Sequence, residues 1–172
     1  NQALILNCIR RYGPVSRTRI GRLVGVRQAS ITELMQELER TGLVREVGRR
    51  GRERGRKQVL LSLNPDYGVA VGVEYGTASA VATAVDLGGR VVGEARATDP
   101  PGREPQAVLA RLVGACRAVL ALPQAAGKHL LGVGLADPGI VDAERGVSLF
   151  ASTIPGWREV AVVDRIEREL GV

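Results

Sequence analysis

Hydrophobic residues near the start of the chain recur at intervals of three and four, the spacing of residues on one face of a helix. The pattern predicts helices over residues 3–11, 16–24 and 28–40. Ser16 is suited to cap the second helix, with Leu23 facing inward, and Gly42 is suited to end the third. The third helix is the most regular, and one stripe of it faces a core: Ile31, Leu34, Met35 and Leu38.

Two strand-like runs follow these helices, over residues 43–47 and 59–63. They flank residues 48–57, a basic loop punctuated by glycine. Gly25-Val26 makes the tight turn that a helix-turn-helix requires between its second and third helices. The basic loop then becomes a wing, so residues 1–64 are predicted to form a winged helix-turn-helix domain.

The pattern changes beyond the turn signal Asn64-Pro65-Asp66 to short runs of β-branched residues. Strands are predicted over residues 69–74, 79–86, 91–97 and 130–135, with a short one over 146–150. Helices are predicted over residues 105–122 and 160–170. Three strands, a helix, a strand and a helix describe the start of a ribonuclease-H-like, actin-type α/β domain, predicted here as residues 65–172.

Positive charge is concentrated in the first predicted domain. Residues 1–64 hold 14 of the 24 lysine and arginine residues but only 5 of the 18 acidic residues, while the rest of the chain carries a small acidic excess. A basic front half on a mildly acidic back half indicates that only the front half meets a polyanion. Together with the winged helix pattern, this distribution predicts a protein that binds duplex DNA.

The candidate DNA contacts lie at the start of the third helix and in the wing. A helix that enters the major groove reads base edges with its N-terminal residues, here Arg27, Gln28, Ser30 and Thr32. Arg27 stands where serine or threonine would normally cap the helix, which suggests that the position serves contact rather than stability. If the wing neutralises about six phosphates, the logarithm of affinity falls with that of salt at a slope near −5. The wing candidates are Arg49, Arg50, Arg52, Arg54, Arg56 and Lys57.

Two segments of the second half are the candidates for small-molecule chemistry. Residues 71–79 occupy the place of a phosphate loop, but they contain no lysine or arginine and Glu74 adds like charge, so a plain hairpin turn is preferred to an ATP site. Gly139 lets a ligand approach the backbone, and Ser152 and Thr153 offer hydroxyls suited to sugar. Trp157 is predicted to lie in the core rather than to stack on a sugar.

Several other kinds of site are excluded by residue counts. Cys8 and Cys116 are too few and too far apart for a disulfide framework, and they are expected to be buried thiols in a reducing cytoplasm. His129 is the single histidine, which rules out most histidine-based metal sites and triads within the chain. No apolar run approaches the roughly 20 residues of a membrane helix. No signal peptide is visible in a chain that starts at Asn1.

Motifs in both halves resemble the N-terminal part of a transcriptional regulator of the ROK family (repressors, open reading frames, sugar kinases). In the front half these are Ser16-Arg17, Gln28-Ala29-Ser30-Ile31-Thr32, Gly42-Leu43-Val44 and Gly55-Arg56-Lys57. In the back half they are residues 132–142 and Ile154-Pro155-Gly156-Trp157. The resemblance adds Arg17 to the candidate DNA contacts and implies that Gly139 and Thr153 line the sugar side of a cleft.

Departures from the family pattern bear on catalysis. Kinase members carry Asp-x-Gly-Gly-Thr-Lys after the first strand, whereas residues 74–79 keep a single glycine. The family's catalytic aspartate, sugar motif and zinc site would lie beyond Val172. The chain is therefore expected to be a fragment without catalytic residues, cofactor or metal of its own, and not an enzyme.

The resemblance implies a sugar-responsive transcriptional regulator, a repressor that acts in the cytoplasm at the nucleoid as a homodimer or tetramer. Its partners would be double-stranded DNA and a sugar or sugar-phosphate effector. Two alternatives stay open at this point. One is an ATP-dependent sugar kinase with an appended winged helix, and the other is a regulator that has no sugar ligand.

Overall fold

A computed structural model describes residues 2–50 and 58–172 of the chain. The chain divides into two compact units, Asn1–Tyr67 and Gly68–Val172. The division lies just beyond the predicted boundary at Asn64. Each unit is described by itself.

Three helices open the first unit: α1 (Gln2–Tyr12), α2 (Arg17–Val24) and α3 (Gln28–Arg40). The hydroxyl oxygen of Ser16 accepts a hydrogen bond from the backbone N–H of Arg19, so the predicted cap of α2 is confirmed. Gly25 follows α2 with a φ of 68°, and Gly42 follows α3 with a φ of 80°. Both conformations favour glycine, which explains why the helices end there.

The wing strands are longer than the sequence predicted. β1 (Val44–Arg50) pairs antiparallel with β2 (Gln58–Leu63). Arg49 and Arg50 were predicted in the loop, but they lie in β1 opposite Val59 and Gln58. The reason is that alternation of side chains is weak in an exposed hairpin, so the hydrophobic pattern alone ends the strand too early.

The predicted apolar stripe of α3 lies in the core of the first unit. Ile31 and Met35 are fully buried and Leu38 is nearly so, while Leu34 is half-buried. Leu23 was predicted to face inward, and this prediction is wrong because 46% of its surface is exposed. The same core is completed from α1, α2 and β2 by Ile5, Ile9, Ile20 and Leu61.

A four-stranded sheet is the centre of the second unit. Its strands are β3 (Gly68–Tyr75), β4 (Ala80–Asp86), β5 (Val91–Ala97) and β6 (His129–Ala136), in the spatial order β5-β4-β3-β6. β4 runs antiparallel to both β3 and β5, whereas β6 runs parallel to β3. The crossover to β6 is made by α4 (Pro105–Leu120), whose predicted inward residues are all buried: Val108, Leu109, Leu112, Val113 and Cys116.

A second, three-stranded antiparallel sheet follows β6. It consists of β7 (Ile140–Asp142), β8 (Val147–Phe150) and β9 (Arg158–Val160), and α5 (Val162–Leu170) comes after it. The sequence predicted β8 but missed β7 and β9, because strands of three residues are too short to show a period. It also began the last helix too early, at residue 160, which lies in β9. The predicted fold class, a winged helix followed by the start of a ribonuclease-H-like α/β domain, agrees with this element order.

Candidate nucleic-acid interface and ligand loops

The outer face of α3 carries the candidate residues for base contact. Ser30 and Thr32 are exposed there, and Arg27 stands immediately before the helix, also exposed. Arg27 occupies the N-cap position, and no side chain caps the helix there. Because α3 buries its opposite face, these residues are presented at one end of a rigid helix. Gln28 is the first residue of α3. This is the geometry that entry into a major groove requires.

Arg17 is engaged within the first unit. Its Nη2 donates to both carboxylate oxygens of Glu39, at 2.5 and 2.8 Å, and so joins α2 to α3. The two side chains are 30% and 26% exposed, so the pair is partly shielded from water. The structure thus gives Arg17 a contact that orients α3, while its contact with DNA stays a prediction.

Six basic residues of the wing were predicted to contact DNA, and two of them lie in the part of the chain that the structure describes. Arg49 and Arg50 are exposed at the end of β1. Since they lie in a paired strand, their backbone is held by the ladder to β2. The other four predicted contacts lie outside the described residues: Arg52, Arg54, Arg56 and Lys57.

The loop after β6 is held by a hydrogen-bonded pair that the sequence analysis missed. The Tyr75 hydroxyl donates to Oδ2 of Asp137, and Oδ1 of Asp137 accepts from the backbone N–H of Gly139 at 2.8 Å. Glu74 and Ala136 are register partners in parallel strands, so Tyr75 and Asp137 emerge together at the carboxyl ends of β3 and β6. The sequence could have predicted this contact, because both residues follow predicted strands and the carboxyl ends of parallel strands meet at one edge of a sheet.

Tyr75 also contacts residues of the core of the second unit. Its hydroxyl is hydrogen-bonded to that of Ser148, which accepts from Nε1 of Trp157 at 2.7 Å. The Tyr75 and Trp157 rings lie 5.7 Å apart between centroids. Trp157 is 1% exposed, which confirms its prediction as a core residue. Burial first, and then the bond to Asp137 and its negative charge, raise the pKa of Tyr75 far above its usual range.

Gly139 lies against β8, and this explains why it has no side chain. A Cβ atom on Gly139 would lie 2.0 Å from the carbonyl oxygen of Phe150 and 2.9 Å from Cα of Ala151. The close approach brings Gly139 beside the turn that carries Ser152 and Thr153, both of which are exposed. The three predicted ligand residues therefore come from neighbouring segments. Their contact with a sugar stays a prediction.

A cavity of about 650 Å³ lies between β6, the small sheet and α5. Gly139, Asp137 and Ser148 line it, together with apolar side chains that include Val133 and Ile166. Ser152 and Thr153 are outside this lining. The cavity and the turn that exposes Ser152 and Thr153 are therefore two different surfaces. Gly139 lines the cavity and also lies beside that turn.

The segment in the place of a phosphate loop is a closed hairpin turn in which the backbone N–H of Gly76 donates to the carbonyl oxygen of Ser79 at 3.0 Å. The sequence shows no arginine in this segment, but the fold brings two beside it. Arg96 Nη1 donates to Ser79 Oγ at 2.8 Å, and Arg111 Nη2 donates to the Thr77 carbonyl oxygen at 2.8 Å. Arg111 is 1% exposed, so the turn is fixed by a buried guanidinium group.

Both cysteines are buried, as the sequence predicted. Burial raises the pKa of Cys116 to about 11, and it also raises the pKa of Cys8, which the charge of Arg19 partly offsets. Both are therefore thiols at neutral pH. Within residues 2–50 and 58–172, no cluster of three or more histidine, cysteine, aspartate or glutamate side chains is placed to bind a metal ion. Over the same residues, no helix has the length and hydropathy needed to cross a membrane.

Comparison with known proteins adds sequence evidence for both units. Residues 1–65 match the family model of the winged helix DNA-binding domain. The xylose repressor of Caldicellulosiruptor bescii is 30% identical over 173 residues, which cover 100% of this chain and 43% of that repressor. The transcriptional dual regulator NagC of Escherichia coli K12 is 28% identical over 146 residues, which cover 85% of this chain and 36% of NagC.

A solved structure shares the fold over the whole chain. It is a ROK family transcriptional regulator described as a homolog of the E. coli MLC protein, with a TM-score of 0.75 and 24% identity, over 100% of this chain and 43% of that one. The chain spans less than half the length of the relatives it matches. Residues 1–65 are therefore a winged helix DNA-binding domain, and the chain as a whole is similar in sequence and fold to the N-terminal part of a ROK family transcriptional regulator.

Proposed function

We propose that this chain is the DNA-reading domain and the first part of the effector domain of a sugar-responsive transcriptional repressor. The observation that carries the proposal is the pairing of two different units in one chain. One is a basic winged helix that exposes Ser30 and Thr32 on α3 and Arg27 at the N-cap of that helix. The other is an α/β unit with exposed loop hydroxyls at Ser152 and Thr153.

The DNA part of the proposal rests on charge and shape. The end of α3 and the base of the wing both expose arginine, and the first unit carries all of the chain's excess positive charge. Contacts of the wing arginines with phosphate would position the domain, and the side chains of α3 would read base edges. A homodimer would place two such helices in successive major grooves of an inverted repeat.

The effector part rests on the relatives and on the loops of the second unit. Some relatives are named xylose repressors and others N-acetylglucosamine repressors. A pentose or an N-acetylated hexose is therefore the class of effector proposed, with Gly139, Ser152 and Thr153 as contacts. The effector would favour one of two conformations of the protein and so change its affinity for DNA.

We also propose that the second unit has no phosphotransfer chemistry. A phosphate loop must present backbone N–H groups and a cationic side chain to the phosphates. Here Gly76 N–H is used inside the turn, the nearby Arg96 is hydrogen-bonded to Ser79, and Glu74 lines the same surface. No cofactor is proposed for this chain. The site of action would be the cytoplasm, at the nucleoid.

Selection from a random-sequence duplex library tests DNA reading. Purified protein should enrich one inverted repeat, and Arg27→Gln or Ser30→Ala should change the enriched bases while leaving the unfolding temperature unchanged. Arg145→Gln, in the second unit, is the matched control and should leave the motif unchanged. Failure to enrich any sequence would contradict the proposal.

Fluorescence anisotropy with the enriched duplex then tests the effector. Xylose, N-acetylglucosamine and glucose are added separately, and one of the first two should weaken binding about tenfold, a coupling of about 1.4 kcal/mol. A normal affinity for DNA that no sugar changes would contradict the effector assignment alone. Formation of ADP and sugar phosphate from ATP and sugar, above the background of the same mixture without protein, would contradict the absence of kinase chemistry.

A further inference from the structure

A pocket that the sequence analysis did not anticipate lies in the first unit, between α2 and the base of the wing. It encloses about 280 Å³. Its polar wall is formed by Ser16, Thr18, Arg19, Arg22, Arg50 and Gln58. Two of the arginines come from α2 and one from the end of β1, so two separate elements direct positive charge toward one small volume.

The pocket is cationic without a compensating acid. Among its lining residues in the described part of the chain, none is aspartate or glutamate. Arg19, Arg22 and Arg50 also form no ion pair with any residue that the structure describes. Three acids of the first unit, Glu39, Glu37 and Asp66, instead pair with Arg17, Arg40 and Arg45. Three guanidinium groups so placed repel one another, and a bound anion relieves this repulsion.

The pocket is also built on a rigid frame. Val15 and Leu61 exchange two backbone hydrogen bonds, of 3.0 and 2.9 Å, which attach the start of α2 to β2. Arg19 and Arg22 are three residues apart on α2 and share one face of the helix. Arg50 is fixed opposite Gln58 in the register of the wing strands. The arginines therefore need little reorganisation of the backbone to bind one ligand together.

We propose that this pocket binds a phosphodiester group of the DNA backbone, as an anchor distinct from the base-reading end of α3. The inference rests on the proposed DNA-binding function and adds Arg19, Arg22 and Thr18 to its contacts. A planar guanidinium group suits the oxygens of a phosphate, and the Thr18 hydroxyl is a further donor. Because phosphates carry no sequence information, the pocket would set affinity and register rather than base preference.

The test measures binding of a mixed-sequence DNA duplex by fluorescence anisotropy over a series of sodium chloride concentrations. Such a duplex suffices because binding to phosphate is independent of sequence. Arg22→Gln should weaken binding several-fold at low salt and reduce the steepness of the salt dependence by about 1. Arg10→Gln is the matched control, since it removes the same charge from the exposed end of α1 outside the pocket. Unfolding temperatures of both variants should equal that of the unaltered protein.

The outcomes separate the pocket from the proposed function. Unaltered protein that fails to bind the duplex overturns both. Normal binding by the unaltered protein, with Arg19→Gln and Arg22→Gln each no different from Arg10→Gln, overturns the pocket alone. Inorganic phosphate is titrated as a second probe by calorimetry. Phosphate binding that Arg22→Gln abolishes, with an unchanged salt dependence for DNA, would assign the pocket to a free anion and also overturn the proposal.

Discussion

Arg17 and Glu39 join the two helices of the helix-turn-helix through a single guanidinium nitrogen that bonds both carboxylate oxygens. We expect Arg17→Gln to lower the free energy of unfolding of the first unit by about 1 kcal/mol, because the pair is partly shielded and Glu39 would lose its partner. Urea unfolding followed by circular dichroism measures this loss. A double-mutant cycle with Glu39→Gln isolates the interaction of the pair.

The control for this pair is Arg40→Gln. Arg40 pairs with Glu37 on the exposed side of α3, where water screens the pair and its loss should leave the stability nearly unchanged. If Arg17→Gln left stability unchanged but weakened DNA binding, Arg17 would act as a DNA contact and not as a link between helices.

Tyr75 makes the second unit sensitive to alkaline pH. Its pKa is raised in the folded state, by burial and by Asp137, so the unfolded chain releases this proton at a lower pH than the folded chain. Stability is therefore complete below the ordinary tyrosine pKa of about 10 and decreases as the pH rises above it. Tyr75→Phe should lower stability by about 1 kcal/mol at neutral pH, since Asp137 loses a donor, and should reduce the alkaline decrease. Urea unfolding at about pH 8 and pH 11 measures both effects.

Tyr12→Phe is the matched control, because Tyr12 is 40% exposed and lies in the other unit. It should leave the unfolding of the second unit unchanged at both pH values. An alkaline decrease of equal size in the Tyr75→Phe protein would assign that decrease to other groups.

Asp86 makes the same unit sensitive to acid. Burial by itself raises the pKa of this carboxyl, but the backbone N–H and guanidinium of Arg90 outweigh it, and the net effect lowers the pKa. Stability from this contact is present above the ordinary aspartate pKa and is lost as the pH falls through the lowered value. Asp86→Asn should cost about 1 kcal/mol at neutral pH and flatten the acid limb of the stability curve.

The comparison for Asp86 is Asp142→Asn, which removes the partner of Arg145 in a surface pair. That variant should change stability by less than about 0.5 kcal/mol. Equal acid sensitivity of the unaltered and Asp86→Asn proteins would show that Asp86 does not control it.

Gly139→Ala should destabilise the loop after β6 by about 2 kcal/mol, because the new methyl group meets backbone atoms of Phe150 and Ala151 that cannot rotate away. Gly134→Ala, in the preceding strand, has open space around its new methyl group and should cost far less. Thermal unfolding of the two variants gives the comparison. A stable Gly139→Ala protein would mean that the loop does not require its approach to β8.

The sequence was most informative where a regular spacing of hydrophobic residues continues along a whole element. The stripe through Ile31, Met35 and Leu38 recurs over two turns of α3, and it predicted both the helix and its buried face. The contact between Tyr75 and Asp137 spans 62 positions and depends on which strand is the parallel neighbour of β3. Buried Arg111 was missed because its partners are carbonyl groups, which leave no signal in residue type.

Trp157 is the only tryptophan of the chain, and it lies in the second unit, packed beside Tyr75. Excitation of its indole therefore reports on the α/β unit alone and is blind to the winged helix. Circular dichroism at helical wavelengths includes both units. Recording the two signals together during denaturation would show whether the units melt as one cooperative block or in separate steps, without attaching a dye to either.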